Sequence, residues 1–241
     1  MEDLTRCETP YRVMPAIEVP SLDHTLMVFK ALAHFHGAWW QILRGKSKTP
    51  NLDFLTQDFM NKNFGHPFAG FFSATLKRTL DIQVSLIAQN MEMVGEDKGL
   101  VERVRKHAAR VVKEGAHQCV MARETIREDN LVTLIHGDSW INNIMFQEDE
   151  DGKPLDVKLI DYQVLRLLHP TMDLGYYIYI STDLPFREAH ENTILEEYFN
   201  VLSGYLSPHY DITFDQFRAE FEARRPGFAF AGIVVSCICT V

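Results

Sequence analysis

Cysteine is scarce in this chain: Cys7, Cys119, Cys237 and Cys239 are spread over 241 positions. The set is too small and too scattered for a disulfide framework, and Cys237 and Cys239 have no further ligands at a familiar metal-site spacing. We therefore expect reduced thiols and a cytoplasmic protein.

Long apolar runs are also lacking. The chain opens on the acidic Met1-Glu2-Asp3 and no apolar stretch follows, so no secretory signal is expected. Residues 227–241 are apolar except for Ser236 and Thr240, but this run is shorter than the roughly 20 residues of a membrane span. The sequence predicts no membrane partner and a buried helix over residues 227–241.

Basic residues are in deficit, with 24 Lys and Arg against 33 Asp and Glu, a formal net charge of −9. This balance argues against a large nucleic-acid or anionic-membrane surface. The 46% hydrophobic composition allows a sizeable core at this length. These properties permit an enzyme without predicting one.

Apolar residues at helical spacing predict a mainly helical chain. The first helix is predicted from a cap at Ser21 or Asp23 to about Leu43, whereas residues 1–19 read as extended or irregular. Its buried face should hold Leu26, Phe29, Ala33, Trp40 and Leu43. Further helices are predicted over residues 51–63, 68–91, 187–206 and 214–225, with one or two over 97–127.

Two histidines in the first predicted helix, His34 and His36, could suggest a metal site. Residues at i and i+2 point to different faces of a helix, so they are not placed to share a metal ion. We expect them to be structural.

Three short runs read as strands: residues 131–135, 143–146 and 157–160. Between the last two, residues 147–154 carry four acids around Gly152 and predict a solvated hairpin turn at Asp151-Gly152 rather than a metal site.

Three side chains that carry oxygen atoms lie at the ends of these strands. Asp138 follows the first strand, Asn143 begins the second and Asp161 follows the third. Magnesium is a hard cation that takes carboxylate and amide oxygens and leaves room for water and phosphate. Phosphoryl transfer needs a carboxylate to orient the substrate hydroxyl and accept its proton, together with metal ligands and positioning. The set predicts a site for a nucleotide with magnesium.

A resemblance to a known family is carried by His-Gly-Asp-Ser-Trp-Ile-Asn-Asn-Ile-Met-Phe at residues 136–146 and Ile-Asp-Tyr-Gln at residues 160–163. These segments resemble the catalytic and metal-binding segments of the protein-kinase-like superfamily. They are most similar to its ecdysteroid-kinase-like group, also called CHK-kinase-like. Aminoglycoside and choline kinases are more distant relatives.

The resemblance implies a role for each residue of the set. Asp138 would be the catalytic base, or at least the residue that orients the acceptor hydroxyl. Asn143 would be the metal-binding amide, with Asn142 as the rival if the register differs by one. Asp161 would bridge magnesium to the phosphates, which makes ATP and Mg²⁺ the implied cofactors.

Other residues near the motif have expected structural roles. His136 should be a hydrogen-bonded loop histidine. Asp173 either caps a helix that begins near Thr171 or, as the resemblance implies, braces the backbone of the catalytic loop. The aromatic face of that helix is expected in the core and consists of Tyr176, Tyr177 and Tyr179.

The implied fold is α+β and mainly helical: a protein-kinase-like carboxyl lobe with a small β element formed by the three strands. Residues 1–20 would be the hinge, near Glu2-Asp3-Leu4, and a residual amino-lobe segment. Residues 21–241 would form the carboxyl lobe, incomplete at its end. We find no glycine-rich phosphate loop and no partnered strand lysine, so the amino lobe is expected to be absent and the chain a fragment or a degenerate product.

Two functions follow from the resemblance. One is a phosphotransferase that moves the γ-phosphate of ATP to a hydroxyl of a small molecule such as an ecdysteroid or another steroid-like alcohol. The other is a catalytically silent kinase-like binding or scaffold protein. The full set Asp138, Asn143 and Asp161 favours the first, and the missing amino lobe favours the second. A metal-dependent hydrolase is least favoured, because a His-rich ligand set is lacking.

Overall fold

The computed structural model describes residues 10–45, 78, 81–82, 84–95, 97–110 and 126–239. The chain divides into two units, one of residues 1–56 and 123–222 and one of residues 57–122 and 223–241. Three predictions fall outside the described residues: the hinge at Glu2 to Leu4, the predicted helix over residues 51–63 and the part of the predicted helical region at residues 111–125.

The first helix, α1, spans Leu22–Arg44. Ser21, not Asp23, is its N-cap, since its Oγ accepts from the backbone N–H of His24 at 3.3 Å. The predicted face is buried except at Leu26, which is half-buried, and it also includes Val28 and Leu32. A serine cap and a wide apolar stripe therefore specify this helix.

The strands form two antiparallel sheets. In the first, the order is β1-β3-β4, where β1 is Arg12–Val13, β3 is Ile144–Glu148 and β4 is Pro154–Leu159. In the second, β2 (Thr133–Ile135) pairs with β5 (Arg166–Leu168). The three predicted strands are confirmed with small shifts in their ends.

The expectation that these three strands form one β element is wrong, because β2 lies in a different sheet from β3 and β4. A loop and a 3₁₀ turn at Ile141–Asn143 redirect the chain between β2 and β3. The partner of β2 is a strand of three residues, too short for a period-2 pattern to show in the sequence.

The hairpin turn is confirmed at residues 149–152, but Glu148, one of its four predicted solvated acids, lies in β3 and is half-buried. Asp149 Oδ1 accepts from the backbone N–H groups of Asp151 at 3.0 Å and Lys153 at 2.9 Å, and Gly152 has a φ of +76°. Because the side chains at the turn are exposed, their like charges are solvated.

Further helices of the described residues are α2 (Lys98–Arg110), α3 (Thr171–Ser181), α4 (Leu184–Leu206), α5 (Phe214–Ala223) and α6 (Arg225–Cys239). The predicted start of α4 at residue 187 is wrong by three residues. Asp183 caps it by accepting from the N–H of Phe186 at 2.9 Å, and Pro185 is tolerated because the first turn needs no N–H donor there.

In the second unit, residues 84–93 are helical and α6 confirms the predicted helix near residues 227–241, with Phe228 and Phe230 buried. Of residues 104, 108 and 233–239 only the backbone is described. Among the helices of the described ranges, none is both long and apolar enough to span a membrane.

The core of the first unit is built from aromatic side chains of α1, α3, α4 and α5. Phe29 packs edge-on against Tyr177 and Tyr198, with ring centroids 5.6 and 6.3 Å apart, and Tyr198 stacks on Phe217 at 5.6 Å. Such pairs contribute about 0.5–1.5 kcal/mol beyond the burial of their area. They hold α1, α3 and α4 in one arrangement, which positions the site described below.

The half-buried carboxylate of Glu148 joins the start of the described chain to the hairpin. Glu148 Oε1 is 2.8 Å from His24 Nε2 and accepts from Arg12 Nη2 at 2.9 Å. Burial raises the pKa of Glu148, but the hydrogen bonds from Arg12 and His24 outweigh it and hold the pKa below 4.5. The stabilisation is therefore complete above about pH 4.5 and is lost as the pH falls through the lowered value.

We expect Glu148→Gln to lower the free energy of unfolding by about 1–3 kcal/mol at pH 7, as for other hydrogen bonds to charged groups. Urea unfolding at pH 7 and below pH 4 measures this, and the difference from the wild type should shrink at the lower pH. Glu150→Gln, at the exposed hairpin turn, is the matched control. Equal midpoints for wild type and Glu148→Gln at pH 7 would contradict the assignment.

Candidate active site

The loop after β2 makes a tight turn at a glycine. Gly137 has a φ of +83°, and a Cβ atom at this position would lie 2.2 Å from the backbone oxygen of Val164. Both the left-handed backbone and the contact exclude a larger side chain. The turn that precedes Asp138 therefore requires glycine at position 137 of the His-Gly-Asp triplet.

Asn143 lies in direct contact with Asp138. Its Nδ2 donates to the backbone oxygen of Asp138 at 2.9 Å and to Asp138 Oδ2 at 2.8 Å. Because both partners can only accept, they fix the orientation of the amide and leave its oxygen as the atom available to a cation. Of the two asparagines, Asn143 is therefore the one placed at Asp138.

Asp161 follows a residue that bridges the two sides of the loop. The N–H of Ile160 donates to the backbone oxygen of Asn143 at 3.0 Å, and the oxygen of Ile160 is 2.9 Å from His136 Nε2. Asp161 itself is exposed and has a φ of +63°, a left-handed conformation that aspartate tolerates better than most residues. The chain thus brings Asp161 to the same end of the β3–β4 hairpin as Asn143.

His136 is a structural residue of the loop, as the sequence predicted. Its Nδ1 accepts from the backbone N–H of Asp138 at 3.3 Å while its Nε2 is paired with Ile160, so both ring nitrogens are used within the loop. The ring is buried and lies 4.8 Å from the ring of Tyr162.

Asp173, in the first turn of α3, braces the loop. Its Oδ2 accepts from the N–H of His136 at 2.7 Å and its Oδ1 from the N–H of Gly137 at 2.8 Å. The carboxylate is buried, so these contacts decide between the two roles left open by the sequence. It is a brace that ties α3 to the loop.

Asp173 is supported in turn by a buried histidine of α1. His36 Nε2 is 3.0 Å from Asp173 Oδ2, and His36 Nδ1 is 2.7 Å from the hydroxyl of Tyr198 on α4. Burial raises the pKa of Asp173, but the hydrogen bond and charge of His36 outweigh it and lower the pKa below 3.8. His34 instead meets Tyr205 at an exposed position, so the prediction of two structural histidines is confirmed.

One residue of the site was not expected from the sequence. The hydroxyl of Tyr176 donates to Asp138 Oδ1 at 2.8 Å. The predicted core position is confirmed for Tyr177, which is buried, but it is wrong for Tyr176 and Tyr179, which are half-buried. A signal did exist: Tyr176 lies three residues after Asp173, on the same helix face.

The candidate oxygen donors of this region are the carboxylates of Asp138 and Asp161 and the amide oxygen of Asn143. Within the described ranges, no group of three His, Cys, Asp or Glu side chains is placed to hold a metal ion. Oxygen donors of this kind fit Mg²⁺, which binds one or two carboxylates and completes its shell with water and phosphate.

The sequence model of the ecdysteroid kinase-like family matches residues 1–208. No curated protein matches the chain. The matched range covers most of the chain, which therefore belongs to the ecdysteroid kinase-like family, as its motifs and mainly helical α+β fold predicted. The family is kinase-like and acts on small molecules, and kinase-like proteins generally use ATP and Mg²⁺.

Proposed function

We propose that this member of the ecdysteroid kinase-like family transfers the γ-phosphate of ATP to a hydroxyl of a small molecule, with ecdysteroids and other steroid-like alcohols as the acceptor class. The observation that carries the proposal is the contact between Asp138 and Asn143, with Asp161 at the end of the adjoining strand. This combines one carboxylate near the acceptor with oxygen donors for the nucleotide's metal ion.

Asp138 is the proposed base. The oxygen of the acceptor alcohol forms a bond to the γ-phosphorus, the bond from that phosphorus to the β-γ bridging oxygen breaks, and the alcohol's proton goes to the Asp138 carboxylate. ADP is the leaving group. Such help by a positioned base is typically worth about 10²- to 10⁴-fold in rate.

Asn143 and Asp161 are the proposed magnesium ligands, through the amide oxygen and the carboxylate. When bound, Mg²⁺ would neutralise negative charge on the phosphates. The exposed position of Asp161 leaves its carboxylate accessible to a nucleotide complex, whereas Asn143 is held in place by Asp138.

A catalytically silent binding protein would use the same residues to hold a nucleotide without transferring phosphate. The division into a hinge segment, residues 1–20, and a carboxyl lobe, residues 21–241, stays a prediction under either function. The two functions differ in whether a phosphate ester is formed.

The test is phosphate transfer by the natural full-length protein from radiolabelled ATP to ecdysone, 20-hydroxyecdysone and cholesterol, with and without Mg²⁺. We expect a labelled ester that requires Mg²⁺. Binding of MgATP without any ester from these alcohols would favour the silent protein. Neither binding nor transfer would contradict both functions.

Asp161→Asn removes a charged metal ligand, so we expect it to raise the KM for MgATP about tenfold or more and to lower turnover as well. Steady-state kinetics across a magnesium titration measure the change. Asp151→Asn, the same substitution in the exposed hairpin turn, is the control and should change neither value. An unaltered magnesium dependence in Asp161→Asn would remove Asp161 from the metal site.

A further inference from the structure

The carboxylate of Asp138 is held by one donor at each oxygen. Tyr176 Oη donates to Oδ1 and Asn143 Nδ2 donates to Oδ2, both at 2.8 Å. Rotation of an aspartate carboxylate about its last torsion has broad minima, so a single hydrogen bond leaves its plane free to tilt. Donors at both oxygens fix that plane.

The backbone that carries Tyr176 is itself fixed to the loop. Asp173 precedes Tyr176 in α3, and its carboxylate accepts hydrogen bonds from two backbone N–H groups of the loop. The backbone oxygen of Asp173 also accepts from Ser139 Oγ at 2.9 Å. After Tyr176, Ser181 Oγ accepts from the N–H of Ile141 at 3.0 Å. Since α3 is attached to the loop on both sides of Tyr176, the tyrosine hydroxyl reaches Asp138 from a rigid support.

We propose that Tyr176 is a positioning residue, which holds the plane of the Asp138 carboxylate for proton acceptance from the alcohol; this rests on the proposed function. Tyr176 keeps its own proton throughout. Each carboxylate oxygen has a second lone pair, so the alcohol can approach Asp138 while Tyr176 and Asn143 remain bound. The tyrosine therefore acts on turnover through Asp138 and not on nucleotide binding.

The variant Tyr176→Phe keeps the ring and removes the hydroxyl. With MgATP and ecdysone as the probe alcohol, we expect kcat to fall about tenfold, a loss within the range of one hydrogen bond to a charged group, while the KM for MgATP stays unchanged. Tyr177→Phe is the matched control on the same helix. The Tyr177 hydroxyl is buried in the core beside the Thr25 side chain and not at Asp138, so its removal should leave kcat unchanged.

A double variant separates positioning from a general structural effect. If Tyr176 acts through Asp138, then Asp138→Asn with Tyr176→Phe should be no slower than Asp138→Asn alone. Thermal unfolding adds a measurement without substrate: the Tm loss of Asp138→Ala combined with Tyr176→Phe should be smaller than the sum of the two single losses.

The outcomes are distinct. If Asp138→Asn collapses turnover but Tyr176→Phe is as fast as wild type, or if their losses multiply, the positioning role is wrong and the proposed function stands. A faster Tyr176→Phe would overturn the role by showing that the tyrosine competes with the alcohol. If Asp138→Asn turns over like wild type, or the wild type transfers no phosphate, the proposed function fails and the positioning role with it. Additive Tm losses would in every case remove the contact on which the role depends.

Discussion

Asp138→Asn should lower kcat by about 10²- to 10⁴-fold while the affinity for MgATP largely survives. Asparagine keeps the size of the side chain but cannot accept the alcohol's proton. Its amide oxygen can still accept from Asn143, and its amide nitrogen can donate to the oxygen of Tyr176, so the loop geometry should persist. The variant therefore removes the chemistry without removing the site.

Steady-state kinetics and a separate calorimetric titration with MgATP measure the two effects. Asn143→Ala should weaken magnesium-dependent binding as Asp161→Asn does, because one loses the amide oxygen and the other the negative charge, and it should also lower kcat because Asp138 loses the donor at Oδ2. If Asp138→Asn loses magnesium affinity and Asp161→Asn keeps it, the two roles are reversed. Normal transfer by all three variants would place the site elsewhere.

The second large effect is expected from Asp173→Asn. Asparagine offers one acceptor oxygen. The native carboxylate uses two oxygens to accept from the backbone N–H groups of His136 and Gly137 and to pair with His36 Nε2. At least one buried donor would face the amide NH₂ group, and the paired buried charge would be lost. Breaking such a pair costs about 3–5 kcal/mol, so we expect a loss of unfolding free energy of about 3 kcal/mol and a failure of turnover with the loop.

Urea unfolding measures the stability loss. Because the folded protein lowers the pKa of Asp173 below 3.8, its stabilisation is present above about pH 3.8 and disappears as the pH falls further. The deficit of Asp173→Asn should therefore narrow in acid. Asp183→Asn is the matched control, since asparagine caps a helix as well as aspartate does. A variant at position 173 as stable as this control would show that the brace contributes nothing.

The three residues that the sequence proposes for the site lie within one continuous segment. Asp138 and Asn143 are five positions apart in one loop and in direct contact, and Asp161 follows the strand that pairs with β3, so the strand pairing places it at the end of the hairpin where Asn143 lies. Gly137, between His136 and Asp138, is also required for a local reason, because its positive φ disfavours any other residue.

The contacts that the sequence did not predict join residues that are far apart in the chain. Tyr176 and Asp138 are 38 positions apart and His36 and Tyr198 are 162 apart, and these contacts depend on how α1, α3 and α4 pack. Helical periodicity can place a tyrosine among apolar residues, but it does not show which group its hydroxyl contacts. The contacts of Asp173 with the loop fix the rotation of α3 about its axis. From the sequence, this brace was only one of two possible roles for Asp173, the other being a helix cap.

Paramagnetic NMR of the ¹⁵N-labelled protein, with ADP and with Mn²⁺ in place of Mg²⁺, tests the proposed metal site directly. Mn²⁺ broadens the signals of amides near its binding site. We expect selective broadening at residues 138–143 and 160–163 in the wild type, weaker broadening in Asp161→Asn and the wild-type pattern in Asp151→Asn. Broadening centred on the acidic hairpin turn, residues 149–152, with the loop signals intact, would contradict the proposed site.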